Sequence, residues 1–204
     1  ANGAYKNNIT VIGRDDNAVL NQKQSKCASV SGLVAIGLGT IASTNAGNTN
    51  TFAADKTFEA ISDNGTLISW TGTTAPSGRS TLARTWRVQE TGTVGTVRIQ
   101  VPDNNSGQRV TLPLENSTVY LLLDADGNFS AGATEVAMTL NGTNWEADVN
   151  FTDGQYFTFA TQTFSPAPGG VAINNVLWLR ADMGVTGSGT VSGWNDLSPR
   201  SWHT

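Results

Sequence analysis

The stretch Val119-Tyr120-Leu121-Leu122-Leu123-Asp124-Ala125-Asp126-Gly127-Asn128-Phe129-Ser130 decides how the rest of the chain reads. Val119 to Leu123 is an apolar run long enough for a buried strand and too short for most helices. It stops at Asp124, after which oxygen-bearing side chains recur at every second position: Asp124, Asp126, Asn128 and Ser130. Gly127 among them supplies a tight turn. A buried strand ending in a polar corner belongs to an all-β fold.

Working outward, the same grammar repeats. Leu82 to Gln89 alternates, with Leu82, Arg84, Trp86 and Val88 on one face; an arginine at an inward position needs a carboxylate or carbonyls beside it. Val97, Ile99 and Val101 face inward, Arg98 and Gln100 outward. Ala137 to Val149 reads as a hairpin about Asn141-Gly142, and Gln155 to Ala160 as a closing strand after the Asp153-Gly154 turn. Thr66 to Trp70 reads as a strand entered through Asp63-Asn64-Gly65, an Asn-Gly hairpin signal. Leu33 to Leu38 reads as a strand, Phe58-Glu59-Ala60-Ile61 as a core segment, and residues 1–30 as irregular around the patch Ile9 to Gly13. Short strands with turns every 8–12 residues or so predict an antiparallel β-sandwich, jelly-roll or immunoglobulin-like.

Composition agrees. Only 14% of the 204 residues are charged, against 22 glycines, which suits strands and tight turns better than helices. Lys and Arg number 12 against 16 Asp and Glu, so no basic stripe offers itself to nucleic acid. No apolar run approaches the ~18 residues of a membrane span. Cys27 is the single cysteine, which excludes an intrachain disulfide and reads as a small buried apolar residue. Ala1-Asn2-Gly3 opens without the charged start and apolar run of a signal peptide, so a mature or excised piece of an exported protein is expected.

Alternate oxygens around a glycine turn are what a hard cation needs, since Ca2+ takes about 6–8 oxygen ligands. Asp124, Asp126, Asn128 and Ser130 are therefore candidate Ca2+ ligands. The pattern begins like an EF-hand loop, but the glycine falls early, and Glu135, although twelfth from Asp124, follows a strand rather than a helix. The competing reading is plain turn chemistry, in which Asp and Asn cap their own backbone. Asp15 and Asp16 form a second oxygen-rich turn, either a cap or a lesser metal site.

Near Thr161 the character changes. The sandwich is expected over 1–162, a Pro/Gly linker over 163–170, and over 171–204 the opening of a second β-domain too short to close its own core. The motifs Ile12-Gly13-Arg14-Asp15-Asp16, Arg84-Thr85-Trp86-Arg87-Val88, Leu123-Asp124-Ala125-Asp126-Gly127-Asn128-Phe129 and Asp153-Gly154-Gln155-Tyr156-Phe157-Thr158-Phe159 resemble an uncharacterised β-rich module of large surface proteins of Bacteroidetes and marine bacteria, spanning 12–160. Val176-Leu177-Trp178-Leu179-Arg180-Ala181-Asp182 and Gly193-Trp194-Asn195-Asp196-Leu197-Ser198 resemble the start of a concanavalin A-like (laminin G-like) lectin or glucanase domain. These resemblances imply a segment of an extracellular or cell-surface adhesin, or cargo of type IX secretion.

Three function classes follow. One is a non-catalytic module for attachment or spacing, hardened by Ca2+. Another is a glycan-binding module of a secreted carbohydrate-active protein, with Trp70, Trp145 and Trp194 as stacking platforms. An enzyme would need a cleft flanked by carboxylates such as Glu90 and Glu146; His203, the single histidine, lies near the end, and no enzyme is expected. Surface glycans, other surface proteins, or a secretion or surface-assembly machine gripping the tail are the expected partners.

Overall fold

A computed structural model describes residues 3–29, 32–73, 79–103 and 118–161, with two strand pieces at 185–186 and 193–194. The chain divides into two compact units, residues 1–112 with 118–162, and residues 113–117 with 163–204.

The first unit contains β1 (Asn7–Asp15), β2 (Leu20–Gln22), β3 (Gln24–Lys26), β4 (Ala35–Leu38), β5 (Thr57–Asp63), β6 (Trp70–Thr73) and β7 (Ser80–Leu82). These are followed by β8 (Trp86–Thr91), β9 (Val97–Pro102), β10 (Val119–Asp124), β11 (Thr134–Ala137), β12 (Thr139–Asn141), β13 (Asn144–Val149) and β14 (Tyr156–Thr161). No helix occurs among the described residues. One sheet runs β11-β10-β14-β8-β5-β1-β2, with β7 also on β14 and β6 on β7; the other runs β12-β13-β9-β4-β3. Every pairing is antiparallel. The protein is an all-β antiparallel sandwich.

The two sheets share their edges. On one side β2 passes into β3 across the single residue Lys23, and on the other β11 passes into β12 across Met138. Both corners are held by hydrogen bonds. The Lys23 carbonyl accepts the Leu38 amide at 2.7 Å, and its ammonium donates to the Asn48 carbonyl at 2.8 Å. Met138, itself buried, donates its amide to the Val119 carbonyl at 2.9 Å. Strands that switch sheets at a corner tie the two layers together, while β6, which pairs with β7 alone, keeps one side unpaired.

The core lies between the sheets. Leu121, Leu123, Phe157, Phe159, Trp86 and Val88 meet Ile36, Leu38, Val97, Ile99 and Val101. Trp86 stacks on Phe157 at 5.4 Å and takes Phe159 edge-on at 5.3 Å. Each such side chain contributes about 1.5–3 kcal/mol on full burial. The alternation of burial expected of Val97 to Val101 and of Leu82 to Gln89 is present, although the latter is not one continuous strand, and Arg84 meets Asp63 at 3.6 Å and donates to the Thr66 carbonyl at 2.6 Å.

Four local expectations are corrected. Residues 1–30 are not irregular, because β1 to β3 fall there. Thr66 to Ser69 is no strand; β6 begins at Trp70 and pairs with β7. Asn64-Gly65 closes no hairpin, since both flanks of β5 are taken by β1 and β8, and the turn is capped by the Asp63 carboxylate on the Gly65 amide at 2.8 Å. Leu82 to Gln89 is broken at residues 83–85, where the Thr158 hydroxyl donates to the Leu82 and Arg84 carbonyls at 3.1 and 2.8 Å. The Asn141-Gly142 hairpin is present with a Gly142-Thr143 loop, Gly142 at φ +61°.

In the second unit β15 (Val185–Thr186) pairs antiparallel with β16 (Gly193–Trp194). The linker at 163–170 and the strand expected at Asn175 to Asp182 lie outside the described residues.

Candidate functional site

The loop after β10 is built from its own side chains. Asp124, 6% exposed, accepts the amides of Asp126 at 2.8 Å and Gly127 at 2.7 Å on Oδ1. Asp126 Oδ1 accepts the Asn128 amide at 2.8 Å, and Asn128 Oδ1 accepts the Ser130 hydroxyl at 2.6 Å and its amide at 3.3 Å. The Asn128 amide, then the contact with Asp124, holds the Asp126 carboxyl below its ordinary range. Three successive side-chain caps thus wind the segment, which is turn chemistry.

The winding has a packing purpose. Leu121 and Leu123 point into the main core, so Leu122 between them points to the outer face of the sheet. Phe129 folds back onto Leu122 and Ala160 there, flanked by Tyr120, Ala133 and Tyr156. Gly127 sits at φ +83°, and a Cβ on it would stand 3.3 Å from the Tyr156 ring. The loop is a clasp that closes a small second core.

The four residues expected to hold Ca2+ bring the carboxylate oxygens of Asp124 and Asp126, the Asn128 Oδ1 and the Ser130 hydroxyl to one loop, and each of the three Oδ1 atoms already accepts from the loop's own donors. No group of three or more His, Cys, Asp or Glu suited to a metal occurs among the described residues.

Asp15 and Asp16 sit at the β1–β2 turn with cations of their own. Arg14 grips Asp16 by two bonds of 2.7 and 2.8 Å, and Lys56 reaches Asp15 at 3.0 Å. Asp15 also caps the Asn17 amide at 3.0 Å. Lys56 holds the Asp15 carboxyl, and Arg14 the Asp16 carboxyl, below the usual carboxylate range. Neighbouring positive charge stabilises both anions as they stand.

Trp70 and Trp145 are half-buried and pack on the main core, and the Trp145 indole donates to Asp103 at 3.1 Å. The Trp194 side chain lies outside the described residues. Glu90 and Glu146 are not brought together: Glu146 is on the outer face of the second sheet with Arg98 at 3.4 Å and Gln100 at 2.7 Å. Glu90, on β8 of the other sheet, faces inward and accepts the Val94 amide at 2.6 Å. Cys27 is half-buried rather than buried as expected, its Sγ 3.8 Å from Asn8 Oδ1. A groove of about 580 Å³ beside the clasp is lined by Arg87, Asp126, Asp153, Gln155 and Tyr156. Its aromatic ring is already engaged, with Arg87 at 5.3 Å and the edge of Tyr5 at 5.3 Å.

Two features escaped the sequence reading. Asp63, fully buried, is the partner of Arg84. Glu59, 1% exposed, faces the interior with Glu90 directly across the β5–β8 ladder, and its Oε1 has no hydrogen-bond partner. Burial, then the nearby Glu90, pushes the Glu59 carboxyl up to about 8. The alternation Thr57, Glu59, Ile61, Asp63 carries the signal for both, since it shares parity with the buried Ile61.

Comparison with curated proteins and with solved structures gives no match. A family model does match, over residues 1–155, and the chain belongs to that family, described as a domain of unknown function (DUF8202).

Proposed function

We propose that this chain is a non-catalytic segment of a larger exported, modular surface protein, and that its sandwich serves spacing and attachment. The observation that carries the reading is the tying of the two sheets to each other at both corners, Lys23 and Met138. Modules strung on one chain meet at high effective concentration, where unpaired strand rims would join neighbour to neighbour. A sandwich whose two sheets are tied together at both corners resists sliding of one sheet over the other and keeps its length, although β6, paired with β7 alone, still presents such a rim. The ion pairs and side-chain caps that occupy Asp15, Asp16, Asp124 and Asp126 fit the same reading, because they spend these carboxylates on rigidity.

The test is to probe the full chain against a glycan array and against a panel of polysaccharides with detection of released reducing ends. The spacing reading expects neither retention nor release. Retention at micromolar concentration would replace it with the glycan-binding reading, and release of reducing ends with an enzymatic one.

A further inference from the structure

Glu59 and Glu90 stand directly opposite each other on antiparallel strands, both with side chains turned toward the interior. Facing residues in such a pair have Cβ atoms about 4.5–5.5 Å apart, and like charges there repel. Their surroundings differ. Glu90 is half-buried and receives the Val94 amide at 2.6 Å, while its own amide donates to Asp153 at 2.9 Å. Glu59 is almost wholly buried, and no donor reaches its Oε1. A buried carboxylate without donors is expensive, so the group keeps its proton instead.

The charged groups on the elements around Glu59 are few. On β1 the residue across is Ile12, and Arg14 beyond it is bound to Asp16. On β5 itself, Asp63 is held by Arg84. Lys56, before β5, is bound to Asp15. On the facing sheet the Arg98 side chain is bound to Asp148 and Glu146. Lys23 donates to the Asn48 carbonyl. Asp153 stands by the Glu90 amide. Among all of these, Glu90 is the group that acts on Glu59 electrostatically.

We propose that Glu59 and Glu90 form a proton-dependent latch: a single proton, resident on Glu59, lets the two carboxyls face each other and keeps the crossover from β8 to β9 closed, and its loss to solvent opens that crossover. The connection runs through Val94, whose amide is bonded to Glu90 and whose side chain is buried. When Glu59 ionises, Glu90 relieves the repulsion by turning out to solvent, and the Val94 amide loses its acceptor. The sign follows from linkage. A carboxyl whose folded pKa is raised contributes stability in full below its unfolded value, and loses it as pH rises toward the folded value, here about 8.

The experiment is a carbon-detected NMR titration of the side-chain carboxyls in the full chain, with amide exchange of Val94 followed at pH 6 and 9. The Glu59 carboxyl is expected to titrate near 8. Val94 exchange, after correction for hydroxide catalysis, is expected to rise about tenfold or more between the two pH values in the native chain, and not in Glu59→Gln. A Glu59 midpoint in the ordinary range near ~4.3, or the same rise in Glu59→Gln, would overturn the latch. Should Glu59→Gln fail to fold, Glu90→Gln decides: its amide oxygen still accepts from Val94, and the Glu59 midpoint is expected to move down. An unmoved midpoint would show that the two groups are not coupled.

Discussion

Asp124 separates a turn from a metal site by substitution. Its Oδ1 accepts two backbone amides, from Asp126 at 2.8 Å and Gly127 at 2.7 Å. Hydrogen bonds to a charged acceptor are worth about 1.5–3 kcal/mol each. The bonds are only partly buried, so both amides regain some water in Asp124→Ala, and the expected loss is about 2–3 kcal/mol rather than the ~3–6 of a simple sum. In a domain of this size that lowers Tm by about 4–12 °C. Asp124→Asn keeps an oxygen where Oδ1 stands and is expected to cost under about 1 kcal/mol, near the ordinary range for mild substitutions. The assay is thermal and urea unfolding of native chain, Asp124→Ala and Asp124→Asn, each with millimolar Ca2+ and with chelator. The clasp reasoning requires the same ranking in both conditions. If Asp124→Asn were as damaging as Asp124→Ala, and only when Ca2+ is present, the loop would be a cation site and the reasoning refuted.

Further outcomes are expected elsewhere. In Gly37→Ala the new Cβ would meet the Thr40 carbonyl and stand 2.7 Å from Ile41 Cγ1, displacing the segment that covers β4; urea unfolding should show a loss of about 1–3 kcal/mol. Arg84→Met leaves Asp63 buried with the Asn8 amide at 2.7 Å and the Gly65 amide but without its cation, and should lower stability by about 3–5 kcal/mol by the same assay. Arg98, through a two-pronged bond of 2.7 and 2.8 Å, holds the Asp148 carboxyl below its ordinary value. The stabilisation is therefore present above the ordinary carboxylate range and fades as pH falls through the lowered value; being largely exposed, it should also shrink in high salt, and Arg98→Met should flatten both dependences of Tm.

Much of this fold was legible because strand periodicity is local. Val97, Ile99 and Val101 alternate with Arg98 and Gln100, and the inward arginine at position 84 announced a buried acceptor that proved to be Asp63. What was not legible depends on partners distant in sequence. Nothing about Lys23 or Met138 marks a residue at which a strand leaves one sheet for the other, because the corners are made by bonds to Leu38, Asn48 and Val119. The Asn64-Gly65 pair carries the hairpin signature, yet β5 is already paired on both sides. In β5 hydrophobicity also misleads: Phe58 packs on the outer face over Gly13, where a Cβ would stand 3.1 Å from its Cε1, while Glu59 goes inside. The Asp124 loop reads as either turn or metal site since both use alternate oxygens, and the hydrogen bonds that wind the turn appear only when the backbone is folded. Its task of laying Phe129 on Leu122 and Ala160 needs β14, which the sequence places some thirty residues later.

The tying of the two sheets at their corners is the claim on which the spacing role stands, and amide hydrogen exchange of the full chain tests it most directly. The Leu38 and Met138 amides, bonded to the Lys23 and Val119 carbonyls at the two corners, should exchange only with global unfolding, as slowly as Leu121 and Phe159 in the middle of the first sheet. Exchange of either corner amide at the rate of an open loop, while Leu121 and Phe159 stay protected, would mean that the corners open and would contradict the account.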